Sequence, residues 1–138
     1  MRALTSETRE AVLREARRYA EGIASAHGVD AEVEVEEGYP ATINDPEMAS
    51  FALDTARELL GGERVIVRDD PVMGAEDFSY VLERVPGAMV RLGMAPPDVR
   101  YSPGNHSNRM VVDDSAMAAG IAFHAAAALR FLGGPGKG

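Results

Sequence analysis

The feature that most constrains the fold is a regular alternation of helical and strand-like stretches along the 138 residues. Apolar residues recur at spacings of three and four in four stretches, which predicts helices at 5–27, 46–60, 75–84 and 114–132. Between them lie three short apolar or alternating runs with the pattern of strands, at 31–37, 64–67 and 88–92. Helices and strands that alternate in this order predict an α/β fold, in which the helices cover a sheet.

The first and last predicted helices and the run 31–37 each have one face that should be buried, whereas 88–92 is apolar on nearly every residue, as in a strand covered on both sides. In each of these two helices, residues three or four positions apart form an apolar stripe along one face. The stripe of the first helix comprises Val12, Ala16, Tyr19, Ile23 and Ala26, and that of the last comprises Met117, Ile121, His124, Ala128 and Phe131. In the run 31–37, alternation puts Val33 and Val35 on one face and the glutamates on the other, which is typical of a half-buried strand with a solvated side. Thr5 or Ser6 should cap the first helix, and Gly28 should end it in the left-handed conformation.

Composition excludes several classes of function. A formal net charge of −8 and a pI near 4.8 argue against a general nucleic-acid surface, which needs clustered lysine and arginine. The chain has no cysteine, so a metal site would have to use histidine and carboxylate ligands. No apolar run approaches the ~20 residues of a membrane span, and the start lacks the apolar segment of a secretion signal. We therefore expect a soluble cytoplasmic protein whose partner is a small molecule or another protein.

His106 is the best-placed candidate metal ligand because a long loop rich in proline and glycine delivers it. Ser107 and the pair Asp113-Asp114 are close enough in sequence to orient its ring. On the residues alone, an ordinary loop histidine and a metal ligand both remain open. The other two histidines have structural explanations, since His27 ends a helix, where the dipole favours it, and His124 should be buried and hydrogen-bonded.

A second cluster, at 73–80, places Glu76 and Asp77 at the start of a short predicted helix. Acids in the first turn of a helix interact favourably with the free N–H groups there, and that alone would explain them. Gly74 supports the other interpretation, because glycine lets the backbone approach a ligand closely. The chain contains no glycine-rich phosphate loop, no His-Glu-x-x-His pair and no Gly-x-Ser-x-Gly elbow.

Three stretches, taken together and in order, resemble a known family. They are Tyr39-Pro40-Ala41-Thr42-Ile43-Asn44-Asp45, then Met73-Gly74-Ala75-Glu76-Asp77-Phe78-Ser79-Tyr80, then His106-Ser107 followed by Asp113-Asp114. The chain is similar to the C-terminal half of the metal-dependent amidohydrolases that include aminoacylases, hippurate hydrolase and the indole-acetyl-amino-acid hydrolases, which are zinc metallopeptidases. The resemblance implies that 1–44 is the second part of an α+β lid and dimerisation domain. It implies that 45–138 is the C-terminal part of an α/β catalytic domain, with 133–138 as a flexible tail.

The same resemblance implies roles for individual residues. His106 matches the family's last metal ligand, for one of two divalent ions that would be zinc, manganese or cobalt. Glu76 and Asp77 match an acidic motif that supports the active site, and Arg2 and Asn44 match residues that contact the substrate carboxylate. Asn108 and Met110 stand where the family often has proline and an aromatic residue, a change that leaves the ligand position intact.

The resemblance also implies that the chain needs a complement. The other metal ligands and the general-base glutamate belong to an upstream half, whereas a catalytic zinc alone wants about three protein ligands. We expect the chain alone to be inactive and to bind metal weakly, and the intact enzyme to hydrolyse the amide bond of N-acyl amino acids. We expect its partner to be a second copy or an N-terminal half. The alternative is a non-catalytic association module that pairs through the run 31–37 and the first helix.

Overall fold

The computed structural model describes residues 3–97 and 103–133. Within these ranges the chain forms four α-helices, α1 (Ser6–Ala26), α2 (Pro46–Leu60), α3 (Ser79–Leu82) and α4 (Ala116–Leu132). A 3₁₀ turn, Gly62–Arg64, follows α2. The predicted helices are therefore confirmed, although α3 is a single turn where the periodicity predicted ten residues. No helix in the described ranges is long and apolar enough to cross a membrane.

The ends of α1 follow the local signals in the sequence. The Thr5 hydroxyl accepts a hydrogen bond from the Thr8 amide at 3.1 Å, which satisfies one of the free N–H groups of the first turn. At the other end His27 caps the helix, and Gly28 has φ +69°. A residue with a side chain rarely takes this left-handed conformation, so Gly28 can end the helix at little cost.

The predicted strands at 31–37, 64–67 and 88–92 are wrong, because none of the described residues forms a strand. A strand exists only when a neighbouring strand takes up its backbone N–H and C=O groups, and no such ladder joins these runs to the described chain. The side chains keep part of the predicted pattern, since Val33 and Val35 are half-buried while Glu34 and Glu36 are exposed. The described residues therefore show the helical part of the expected α/β fold and do not confirm its sheet.

The chain folds into two compact units. The first contains the chain up to Asp45 together with Arg68–Gly87, and the second contains Pro46–Val67 together with the chain from Ala88 onward. Three residues in the described ranges are buried, Ala52, Thr55 and Ser79. The accessible surface is 11247 Å², whereas a compact monomer of 14.7 kDa exposes about 7,000 Å². Much apolar surface is therefore left uncovered.

In the first unit, α1 lies near the run that follows it, and the Arg9 guanidinium donates to the Gly38 carbonyl at 3.4 Å. The predicted buried stripe of α1 is wrong, since only Ala16 among its five members is half-buried. Tyr19 and Ile23 are 60% and 61% exposed. The partly covered face consists mostly of small residues instead, including Ala20 and Ala24. Both faces of α1 hold apolar residues, so periodicity alone did not select the covered one.

In the second unit, α2 packs against α4. The buried residues Ala52 and Thr55 lie on α2. Arg130 on α4 pairs with Glu58 at 2.8 Å, and its guanidinium carbon lies 5.5 Å from the centre of the Phe51 ring. This pairing leaves most of the predicted buried stripe of α4 on the other side, in solvent. Met117, Ile121, His124 and Ala128 are exposed, whereas Phe131, though 47% exposed, meets Phe51 of α2 edge to face with ring centroids 6.2 Å apart. The prediction is therefore wrong for most of this stripe.

Gly120 lets the run before α4 approach the helix closely. A Cβ atom at this position would lie 2.9 Å from Leu92 Cδ2, nearer than real Cβ atoms approach. The same run is tied to the start of α4 by a hydrogen bond of 2.8 Å from the Asp113 amide to the Met94 carbonyl. The run 88–92 therefore lies against α4 although it pairs with no described strand.

Candidate functional site

The acidic pair lies just before α3 rather than in its first turn. Glu76 is half-buried and Asp77 is exposed, and α3 begins at Ser79. A four-residue helix that starts after the acids gives them little dipole stabilisation, so the structural explanation from the sequence loses its main support. The acids lie instead in a turn that leads into the helix.

Ser79 holds the backbone of this turn. Its hydroxyl donates to the Glu76 carbonyl at 2.6 Å, and its amide donates to the same oxygen at 3.2 Å. Ser79 is fully buried, at 0% exposure, and the Tyr80 amide donates to the Asp77 carbonyl at 3.1 Å. Two donors on one carbonyl fix the position from which the Glu76 side chain extends. Sequence reasoning missed Ser79, and its one signal was a serine three residues after the first acid.

Two of the three family-like stretches come together in the first unit. Tyr39 and Tyr80 meet edge to face, with ring centroids 5.7 Å apart and an interplanar angle of 81°. The Asp45 amide donates to the Gly87 carbonyl at 2.9 Å. This bond joins the end of the stretch 39–45 to the end of Arg68–Gly87, the segment that contains the stretch 73–80. The contact places 39–45 and 73–80 side by side. Neither tyrosine was singled out from the sequence.

The stretch 39–45 also carries the predicted substrate residue Asn44, which is exposed. Two residues earlier, the Thr42 hydroxyl oxygen is buried and has no hydrogen-bond partner among the described residues. A buried polar atom without a partner costs free energy, so this stretch contains a local defect beside Asn44. The other predicted substrate residue, Arg2, lies outside the described residues.

His106 lies exposed in a turn of the second unit. The Ser107 amide donates to the Gly104 carbonyl at 2.9 Å, and the Ser107 hydroxyl accepts from the Arg109 amide at 3.1 Å. Asp113 accepts from the Ser115 amide at 3.0 Å. Ser107 and Asp113 were expected to orient the imidazole of His106. In the structure their side chains accept hydrogen bonds from the backbone amides of Arg109 and Ser115.

The Asp113 carboxylate, seven residues after His106, has a perturbed acidity. Hydrogen bonds from the Ser115 side chain and then from its backbone amide hold the pKa of Asp113 below its ordinary value. Such bonds favour the charged form of the carboxylate. The group lies at the entrance to α4.

His124, by contrast, is not the buried, hydrogen-bonded residue that its place on the apolar stripe predicted. It is exposed, and its ring lies edge to face with Phe123 at a centroid distance of 5.9 Å. The prediction is wrong because α2 covers the opposite side of α4. His124 is therefore available to solvent or to a partner.

The described residues alone do not form a metal site. No group of three or more histidine, aspartate or glutamate side chains lies close enough together in the described ranges to hold an ion. Glu76, Asp77 and Asn44 belong to the first unit and His106 to the second. One exposed imidazole does not fit the ligand set that zinc needs.

An open depression of about 640 Å³ in the first unit is lined by Arg17 and by 33–36, and it contains none of the predicted site residues. Glu34 and Glu36, which border it, are exposed. This agrees with the solvated acidic face expected from the sequence.

Comparison with known proteins adds what the geometry lacks. The model of peptidase family M20/M25/M40 matches residues 6–130. The chain is 31% identical to the putative amidohydrolase YhaA of Bacillus subtilis (strain 168) over 130 residues, which are 94% of this chain and 33% of that protein. It is 32% identical to thermostable carboxypeptidase 1 of Saccharolobus solfataricus over 132 residues, 95% of this chain and 33% of that protein.

A third relative is the N-acetyldiaminopimelate deacetylase of Streptococcus suis (strain 05ZYH33), which is 36% identical over 104 residues, 75% of this chain and 27% of that protein. No solved structure matches the chain. The chain spans about a third of the length of these curated relatives.

Proposed function

The chain belongs to peptidase family M20/M25/M40, and from that membership we propose that it supplies the C-terminal part of a metal-dependent enzyme that hydrolyses N-acyl amino acids. Its relatives include proteins named as an amidohydrolase, a carboxypeptidase and a deacetylase, which are hydrolases of amide bonds. The observation in the structure that supports the proposal best is the contact between Tyr39 and Tyr80. It joins the stretch with the proposed substrate residue to the stretch with the proposed acidic residues.

We assign different roles to the two parts of the chain and to their candidate site residues. In the intact fold, 1–44 would belong to the lid and 45–138 to the catalytic domain. Asn44, through its amide N–H groups, and Arg2, through its guanidinium, would donate hydrogen bonds to the substrate carboxylate. Glu76 and Asp77 would support the site, with the Glu76 backbone fixed by the buried Ser79.

We propose His106 as one metal ligand among several. Enzymes of this family are generally metal-dependent, and two zinc, manganese or cobalt ions would activate water in the intact enzyme. The remaining ligands and the general base would come from the two thirds of the relatives' length that this chain does not match. Because His106 alone does not supply the ligands that such an ion needs, no metal-dependent step is assigned to this chain.

The test is complementation in a bacterial host, and we propose that the protein works in the cytoplasm. The chain should be assayed alone and after co-expression with the part of the Bacillus subtilis amidohydrolase that it does not match. Alone, it should not hydrolyse N-acetyl amino acids above a control with zinc or manganese, because a single ligand cannot build the geometry. With the complement, turnover should appear, and His106→Ala should abolish it.

His27→Ala is the matched control, because His27 is also an exposed histidine and lies at the end of α1. It should leave turnover in the complemented enzyme intact. After dialysis, the chain alone should retain little zinc. Turnover by the chain alone that depends on His106, or stoichiometric zinc lost on His106→Ala, would refute the shared-site proposal. A complemented enzyme indifferent to His106 would refute the ligand assignment.

A second candidate function is association without catalysis. It is favoured by the small number of buried residues and by the apolar side chains that α1 and α4 leave exposed. Complementation separates the two candidates, since an association module would form complexes without generating turnover.

A further inference from the structure

Two neighbouring residues, Ser79 and Tyr80, link the two family-like stretches of the first unit. The Ser79 hydroxyl and amide both donate to the Glu76 carbonyl, and the Ser79 side chain is fully buried. The Tyr80 ring meets the Tyr39 ring edge to face, with centroids 5.7 Å apart. The start of α3 is therefore joined both to the turn that carries the acidic pair, which we call the acidic turn (76–79), and to the stretch 39–45.

The stretch 39–45 is held at both of its ends by one neighbouring segment. The Tyr80 contact holds the first end, and at the last end the Asp45 amide donates to the Gly87 carbonyl at 2.9 Å. The residues between the two contacts lie in neither a helix nor a strand, so no regular hydrogen-bonding pattern sets their position. Asn44 is one of these residues, and the two contacts limit how far it can move from the acidic turn.

The two contacts cross the boundary that the family resemblance places after residue 44. On that division Asn44 ends the lid part, whereas the acidic turn belongs to the catalytic part. In the structure both lie in the first compact unit, which contains the chain up to Asp45 together with Arg68–Gly87. The proposed substrate residue and the proposed acidic residues are thus held in one unit, although they come from different parts of the family fold.

The tyrosine contact adds little to a core, because each ring is 51% exposed. Its place in the chain is more informative, since Tyr39 comes five residues before Asn44 and Tyr80 three residues after Asp77. An edge-to-face pair prefers a defined range of ring separations and angles, so it fixes the backbones that carry the two rings. The main effect of the contact is therefore to locate one stretch against the other.

We propose that Tyr80 is a positioning residue of the hydrolase, which acts through Tyr39 to hold Asn44 at a fixed distance from the acidic turn. This inference rests on the proposed function, because it takes Asn44 as a residue that binds the substrate carboxylate. Loss of the Tyr80 ring releases the first end of the stretch 39–45, while Ser79 continues to hold the acidic turn. Substrate binding should then weaken more than the chemical step.

The first experiment measures the distance between the two stretches in the chain alone by pulsed electron paramagnetic resonance. The chain has no cysteine, so spin labels can be attached at two exposed positions, as Ile43→Cys and Asp77→Cys. We expect one narrow distance distribution, which Tyr80→Ala broadens and Tyr80→Phe preserves, because phenylalanine keeps the ring. Tyr19→Ala is the matched control, since it removes a similarly exposed ring of the same unit, and it should leave the distribution narrow.

Tyr39→Ala guards against a loss of structure in α3. It removes the same ring contact from a residue outside the helices, so it should broaden the distribution as Tyr80→Ala does. Circular dichroism should show the wild-type helix content in both variants, and Tyr39→Ala decides if Tyr80→Ala loses helix. A broad distribution without either substitution, one that Tyr39→Ala leaves narrow, or one that Tyr19→Ala broadens equally would overturn the proposal.

The second experiment measures KM and kcat of the complemented enzyme with an N-acetyl amino acid. Tyr80→Ala should raise KM about fivefold and leave kcat nearly unchanged, as expected for a lost binding interaction. Tyr80→Phe and Tyr19→Ala should keep both constants of the wild type. Asn44→Ala should raise KM in the wild type but add little to Tyr80→Ala, because both substitutions remove the same contact with the substrate.

The two experiments separate this proposal from the proposed function. A complemented wild type without turnover would refute the proposed function, and the distance measurement would still decide whether Tyr80 holds the two stretches together. Turnover in which Tyr80→Ala lowers kcat instead of raising KM, or in which its effect adds fully to that of Asn44→Ala, would overturn the positioning role alone.

Discussion

Tyr39 and Tyr80 meet edge to face at a centroid distance of 5.7 Å, although 41 positions separate them in the sequence. Each ring is about half exposed, so the pair lies at the surface of the first unit rather than in a core. Edge-to-face contact sets the positive edge of one ring against the negative face of the other, which adds to the apolar area they bury. The pair is therefore a side-chain link between the two family-like stretches of this unit.

Replacing Tyr39 or Tyr80 by alanine should lower the free energy of unfolding, because the ring contact and its apolar area are lost. A double-mutant cycle should give a coupling of about 1 kcal/mol between them. Urea denaturation at one fixed protein concentration measures all four proteins. A coupling near zero would mean that the two stretches are held together by other contacts.

Ser79→Ala should lower the free energy of unfolding by about 1 kcal/mol, because the buried hydroxyl no longer donates to the Glu76 carbonyl. The matched control is Ser50→Ala, at an exposed serine of α2, which should be neutral or slightly stabilising since alanine is the better helix former. Urea denaturation measures both. Similar effects of the two substitutions would show that the Ser79 hydroxyl does not hold the turn.

Gly22→Ala and Gly120→Ala should have different effects on the stability of the chain. At Gly22, within α1, a Cβ atom would meet nothing within 4 Å, so alanine should stabilise the chain by about 0.5–1 kcal/mol. At Gly120 the Cβ would lie 2.9 Å from Leu92 Cδ2, so the Leu92 side chain would have to shift and the gain in helix propensity should be reduced or lost. Thermal unfolding compares the two. Equal stabilisation would mean that Leu92 does not pack on α4.

The Asp113 carboxyl should titrate below an ordinary aspartate, because Ser115 donates hydrogen bonds to its charged form and so lowers its pKa. A group whose pKa is lowered by folding contributes stability above its unfolded pKa and loses that contribution as the pH falls through the folded pKa. Carbon-detected NMR of the carboxyl carbon gives its midpoint directly. Ser115→Ala should move that midpoint upward, while Ser50→Ala, far from the carboxyl in sequence, should not. An unchanged midpoint in Ser115→Ala would contradict this cause.

The ends of α1 were predictable because local chemistry decides them. Thr5 caps α1 and Gly28 ends it, as their residue types indicated, and neither depends on distant contacts. The covered faces were not predictable. The apolar residues of α1 extend beyond the predicted stripe and α4 is apolar almost all round, so the covered face depends on which neighbour packs, as α2 does on α4.

Some residues of the candidate site were predictable from the sequence and others were not. The acidic pair and His106 stand out by residue type and position, but Ser79 and the tyrosine pair act only through the folded turn and a contact across 41 positions. The run 88–92 has the composition of a strand and forms none, because a strand needs a second segment to pair with it and no described segment does so.

The interleaving of the two units limits how this polypeptide could be shortened. The first unit resumes at Arg68 after Pro46–Val67 has entered the second, and the second resumes at Ala88. A premature stop before residue 68 would remove part of both units, and one just before residue 88 would keep the first while leaving the second with only Pro46–Val67. Deletion from the front is no better, since loss of α1 leaves Arg68–Gly87 without a large part of its unit. No single truncation from either end therefore removes exactly one unit, because the segments of the two units alternate along the chain.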